Sequence, residues 1–143
     1  MDANTLKILQ LSQQGYPCSQ IMLLMGLEVK GEENPDLVRA VQGLAQGGFN
    51  EKMTCGALTG ACCMISLFGG RAYPDEYPHL ELKDMVTELV DWFENVYGKE
   101  FGGMICCDIR QNGNALEKKQ RCGDIIAATC NKALEILAQR EMF

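Results

Sequence analysis

Histidine occurs once in this chain, and no two of its cysteines form a Cys-x-x-Cys pair. Close local cysteine spacing is what zinc ribbons, thioredoxin-type sites, haem attachment and ferredoxin-type clusters depend on, so each of these is excluded. No serine–histidine pair, P-loop or GxGxxG run offers a nucleophilic or phosphate-binding site. Basic residues are also scarce: 13 stand against 19 acidic ones, for a net charge of -6. Such a surface repels phosphate backbones, and nucleic acid is not expected as a partner. The longest unbroken apolar run, ACCMISLF at 61–68, is far short of the roughly 20 residues a membrane helix needs. Without a basic, then apolar leader at MDANTLKILQ, a soluble cytoplasmic protein is expected.

Strand-like alternation is missing as well, whereas apolar positions recur at helical spacing almost throughout. The fold predicted is all-α, a compact bundle of about six or seven helices, with residues 1–143 forming one domain. NTLKILQLSQQ reads as a first helix, with Asn4 as N-cap and Gly15 as its stop. A second starts at Pro17-Cys18 and runs to about Gly26, and a third runs from Pro35 or Asp36 to about Ala45, before the break QGGFNE. The next helix carries MTCGALTGACC, with Thr54 as cap and Gly69-Gly70 as its end. After the turn-rich RAYPDEYPH comes a long amphipathic helix from about Leu80 to Tyr97, with Met85, Leu89, Trp92, Phe93 and Val96 as its apolar stripe. A helical turn around ICCDIRQ, the loop NGN and a final helix from about Ala115 to Arg140 complete the chain. His79, between Pro78 and Leu80, reads as a surface cap, the acidic residues around it as a solvated run, and Lys118, Lys119 and Arg121 as a wet helix face. Met22, Met25 and Met64 read as core.

What the chain has in quantity is cysteine, eight in 143 residues, fewer than the ~8–10% of a secreted disulfide scaffold. In a reducing compartment such cysteines are reduced thiols, more often redox groups or metal ligands than staples. They fall on separate segments, so a joint site has to be assembled by folding. Cys55 and Cys62 are seven apart on one helix, about 10 Å along its axis at ~1.5 Å per residue, too far for a disulfide. In the doublets Cys62-Cys63 and Cys106-Cys107 the two side chains diverge, so one of each is spare. Cys18 and Cys55 open helices, where unpaired amides and the helix dipole favour thiolate, and a lowered thiol pKa is expected there. Gly56 and Gly60, with Ala57 and Ala61, leave a nearly bare helical surface that a helix, a cofactor or a second copy of the chain can approach. The competing expectation is buried cysteine as a small hydrophobe, strongest for Cys63 and Cys130.

TCGALTGA, preceded by the cysteine of YPCSQIML and followed by ICCDI and RCGDII, resembles the putative redox-active protein family named for a CGAxxG motif and four cysteines, C_GCAxxG_C_C. The resemblance covers the whole chain. It implies Cys18, Cys55, Cys106 and Cys122 as the functional cysteines, with Gly56, Ala57 and Gly60 as the motif residues beside a cofactor. Cys107 or Cys62 are the substitutes within the doublets. The function it implies is redox chemistry by a four-cysteine site, through dithiol/disulfide exchange or electron transfer with an unidentified redox partner. The alternative is a binding module in which the same four thiolates hold an iron–sulfur cluster or zinc without catalysis. No substrate is implied.

Overall fold

The computed structural model describes residues 2–143. Among them the chain is helical, with a single isolated bridge between Thr54 and Ile105 and no strand. The α-helices are α1 (Ala3–Gln13), α2 (Cys18–Lys30), α3 (Pro35–Ala40), α4 (Gly56–Gly69), α5 (Leu82–Phe93), α6 (Lys99–Phe101), α7 (Cys106–Ile109) and α8 (Ala115–Gln139). A π turn at Glu94–Gly98 joins α5 to α6 without a break, so the bundle has seven helical bodies.

The pair α2 and α4 forms the centre, and small residues set how closely they meet. A Cβ added at Gly60 would stand 2.9 Å from Ser19 Cα, and one at Gly26 would stand 2.8 Å from Met64 Cγ. Gly60 therefore allows backbone contact between the helices, and Gly26 leaves room for the Met64 side chain, where a larger residue would push them apart. Around this seam α5 and α8 bury Met85, Leu89, Phe93, Ile136 and Leu137, and Met22, Met25 and Met64 fill the gaps between. The bare face of α4 around Gly60 is taken by α2 and is not free for a second copy.

Several helix ends differ from the sequence reading. Asp2, not Asn4, caps α1, its carboxylate accepting from Thr5 N at 2.7 Å. Helix α2 passes through Gly26 to Lys30 and stops at Gly31, which takes the left-handed conformation at φ 74°. Helix α3 ends at Ala40 and gives way to a 3₁₀ turn at Gln42–Leu44. Thr54 is spent on the bridge to Ile105, so Cys55 itself is the N-cap of α4. Leu80 is 97% exposed and precedes α5, and Val96, 42% exposed, points away from the apolar stripe. His79 is exposed and precedes the N-cap of α5, Glu81, whose N donates to His79 Nδ1 at 3.1 Å; no side chain caps the first turn of the helix.

Candidate functional site

Cys18, Cys55, Cys106 and Cys122 line one cavity of about 340 Å³, floored by Ile109, Ile125 and Ile126. Each thiol arrives on a different helix or helix start. Cys18 is the first residue of α2, Cys55 caps α4, Cys106 opens α7, and Cys122 lies two turns into α8.

Three local devices bring them together. Cys55 N donates to Met104 O and Cys106 N donates to Met53 O, both at 2.9 Å, on either side of the Thr54–Ile105 bridge. This short antiparallel clasp sets Cys55 and Cys106 side by side although 51 positions separate them. Arg121 fixes the α7 turn to α8: its guanidinium donates to Ile109 O and Asn112 O, each at 2.8 Å, and lies 5.6 Å from the Phe101 ring centre. Ser19 Oγ donates to Val41 O at 2.8 Å and Gln20 Nε2 to Val38 O at 3.0 Å, which holds the chain leading to Gln46 over Cys18.

That chain, QGGFNE, is more than a break. Gln46, Gly47, Gly48, Phe49 and Glu51 all have positive φ, between 51° and 77°. Gly47 is required for a second reason, because a Cβ there would fall 2.6 Å from Cys106 Cβ. The tight path ends at Glu51, whose Oε1 pairs with Arg110 Nε at 2.9 Å, off the hydrogen-bond line. Arg110 Nη1 in turn donates to Cys122 Sγ at 3.7 Å.

Gly56 and Ala57 line the cavity, and Gly56 leaves room for sulfur: a Cβ at that position would stand 2.5 Å from Cys18 Sγ and 2.8 Å from Leu44 O. Gly60 lies away from the cavity, against α2. The other cysteines are elsewhere. Cys62 packs at the edge of the main core, Cys63 beside the small cluster of Leu23, Leu27 and Val41, and Cys107 is exposed. Cys130 is 0% exposed inside the bundle.

The lowered thiol pKa expected at Cys18 and Cys55 is overturned. Burial pushes Cys18 up, more than the amides of Gln46 and Ser19 pull it down. Burial raises Cys55 to about 11 against the amides of Ala57 and Leu58, with the charges of Cys18 and Cys122 adding to the rise. Cys106 rises to about 12, first through burial and then through Cys55 and Glu51, with Arg110 opposing. The helix-start effect is present at Cys18 and Cys55, but removing a thiolate from water costs more than the amides return. Cys18, Cys55 and Cys106 are therefore protonated thiols at neutral pH. Among the described residues no group of three or more His, Cys, Asp or Glu side chains is arranged to hold a metal ion.

Sequence reasoning missed Arg110, Lys119 and Gln46 as cavity residues. In sequence Lys119 and Arg121 read as one solvated face, yet the first borders the cavity and the second clamps α7. The spacing of Lys119 and Cys122, three apart on a helix, was the available signal.

The structure thus defines a helical protein with four cysteines lining one cavity. The chain belongs to the family described as "Putative redox-active protein (C_GCAxxG_C_C)", whose model matches residues 16–136 and so spans all four. The motif in that description writes glycine before cysteine, where this chain has Cys55 before Gly56. No curated protein and no solved structure matches the chain.

Proposed function

We propose that Cys18, Cys55, Cys106 and Cys122 are the redox centre of this protein, storing electrons as thiols and releasing them by closing into disulfides. The convergence of four thiols from four chain segments on one cavity carries this reading. Each disulfide formed releases two electrons and two protons from two thiols, which an oxidant of the disulfide class can take up. Membership of a redox-active family supports the chemistry, and the four cysteines lining one cavity support its location there.

A second reading, electron transfer through an iron–sulfur cluster, is favoured by one feature. The amides of Gln46 and Ser19 oppose the rise of the Cys18 thiol pKa, and those of Ala57 and Leu58 oppose it at Cys55. Amide donors to sulfur are how proteins tune cluster potentials. The same four cysteines would hold the cluster, which would supply one-electron transfer. A single zinc ion gains no such support, because no three donors are arranged around one point among the described residues.

Anaerobic purification followed by visible spectroscopy, iron and zinc analysis and thiol titration separates these readings. Colourless protein that loses thiols in pairs on oxidation, and regains them with dithiothreitol, is expected. Replacing any one of the four by serine should reduce reversible oxidation nearly as far as replacing all four, since members of one unit are strongly non-additive. Absorption in the visible that disappears in air would establish the cluster reading instead. Small, equal effects at all eight cysteines would end both.

A further inference from the structure

We infer that the cavity admits a small anionic disulfide, with Lys119 receiving a carboxylate at the rim and Cys122 opening the S–S bond. The inference rests on the thiol reading of the centre and names the class of its oxidant.

Size and access come first. The cavity, about 340 Å³, lies within the roughly 300–1,000 Å³ of small-ligand sites. Cys106 is only 5% exposed and the other three are half-buried, so a disulfide on the surface of a folded protein does not reach into the whole group. A low-molecular-weight disulfide can.

Charge decides which kind. Among the described residues the charged side chains lining the cavity are Arg110 and Lys119, both positive, in a chain of net charge -6. Arg110 is already answered by Glu51 at 2.9 Å. Lys119 is exposed and forms no ion pair among the described residues. An acidic protein that turns an unanswered cation toward a thiol cavity selects anions there and repels cations.

Position decides which thiol. Lys119 and Cys122 are three apart on α8, hence neighbours on one face with Cβ atoms about 5–6 Å apart. Cys122 is also the thiol with a side-chain cation on its sulfur, Arg110 Nη1 at 3.7 Å. A disulfide carrying a carboxylate a few bonds from sulfur can meet Lys119 while its S–S bond faces Cys122.

In the step, the Cys122 sulfur bonds to one sulfur of the ligand. The ligand's S–S bond breaks, and the first small thiol leaves with the proton that Cys122 carried. A second cavity cysteine then attacks the mixed disulfide, and the other small thiol leaves with its proton. Two protein S–H bonds become two ligand S–H bonds, the protein gains one internal disulfide, and two electrons pass to the ligand.

The test uses the full reduced chain carrying Cys107→Ser, which removes the exposed thiol. Its oxidation rate is measured with the dianion 5,5′-dithiobis(2-nitrobenzoate), with uncharged 4,4′-dithiodipyridine and with the dication cystamine, each normalised to the rate of a free small thiol. The dianion should be favoured over cystamine. Lys119→Glu should lower the dianion rate by up to about fivefold, the size of an exposed ion pair, and leave the uncharged probe unchanged. The product should be two hydrogens lighter, with Cys122 in the disulfide, and Cys122→Ser should slow the first step with all three probes. An internal disulfide that forms at rates blind to probe charge and to Lys119→Glu would overturn the inference while leaving the thiol reading intact. If no probe closes an internal disulfide, the thiol reading fails and takes the inference with it.

Discussion

Cys122 and Cys130 lie two turns apart on the same helix, and their surroundings could hardly differ more. Cys130 is 0% exposed, enclosed by the α8 core with Ile126, Ala133 and Ile136, and burial lifts its thiol to about 12. Cys122 lies half-buried on a cavity wall with a guanidinium 3.7 Å away and three more thiols around the same space. The core end of α8 is built by helix packing, where a sulfur is one more apolar atom. The cavity end is built by turns: the left-handed path from Gln46 to Glu51, the Thr54–Ile105 bridge and the short α7. What a cysteine does here is set by which of these two kinds of structure surrounds it.

The sharpest way to break the cavity end is at Gly56. A methyl group there would stand 2.5 Å from Cys18 Sγ and 2.8 Å from Leu44 O, and the second of these is backbone that cannot rotate aside. Gly56→Ala should cost about 1–3 kcal/mol in chemical denaturation and displace Cys18 from the other thiols. Wild-type stability together with wild-type thiol chemistry would mean that the packing at the cavity has slack.

Cys130→Ser probes the core end. A buried hydroxyl without a partner should cost about 1–3 kcal/mol. Thiol oxidation at the cavity should be unchanged, so stability and chemistry separate. Loss of reversible oxidation in this variant would erase the distinction between the two ends of α8.

A smaller effect follows from pH. Cys55 at about 11, Cys106 at about 12 and Cys130 at about 12 all lie above the ordinary thiol value of about 8.5. A folded pKa above the unfolded one means that the folded chain holds its protons more tightly. The stability these thiols contribute is therefore complete below about pH 8.5 and is lost as pH rises toward 11 and 12. Thermal melts should shift downward across that window. Alkylation of Cys55 should be slow at pH 7 and still climbing at pH 10, and a plateau reached by pH 9 would show that the helix-start amides outweigh burial after all.

The helical fold was legible in sequence because it rests on local signals, helical periodicity and glycine and proline punctuation, whereas the four cysteines were singled out by the family resemblance that the TCGALTG run carries. The cavity wall was not legible. Residues 53–55 pair with 104–106 across about a third of the chain, and no local preference announces that pairing. QGGFNE looked like a simple interruption because two glycines suggest slack, whereas non-glycine Gln46, Phe49 and Glu51 share their left-handed backbone and steer Glu51 onto Arg110. The thiol pKa was misjudged for a related reason. A helix start can be read from a proline or a cap, but the burial that overrides it comes from the fold.

Whether four cysteines form one centre and the other four do not is read most directly by differential alkylation with mass mapping on the full chain, poised at a series of redox potentials. Cys18, Cys55, Cys106 and Cys122 should lose reactivity over one narrow range of potential, while Cys62, Cys63, Cys107 and Cys130 keep the labelling they show in the reduced protein. Loss of reactivity at Cys107 or Cys62 in place of Cys106 or Cys55, or a gradual loss spread over all eight, would contradict a single centre at the cavity.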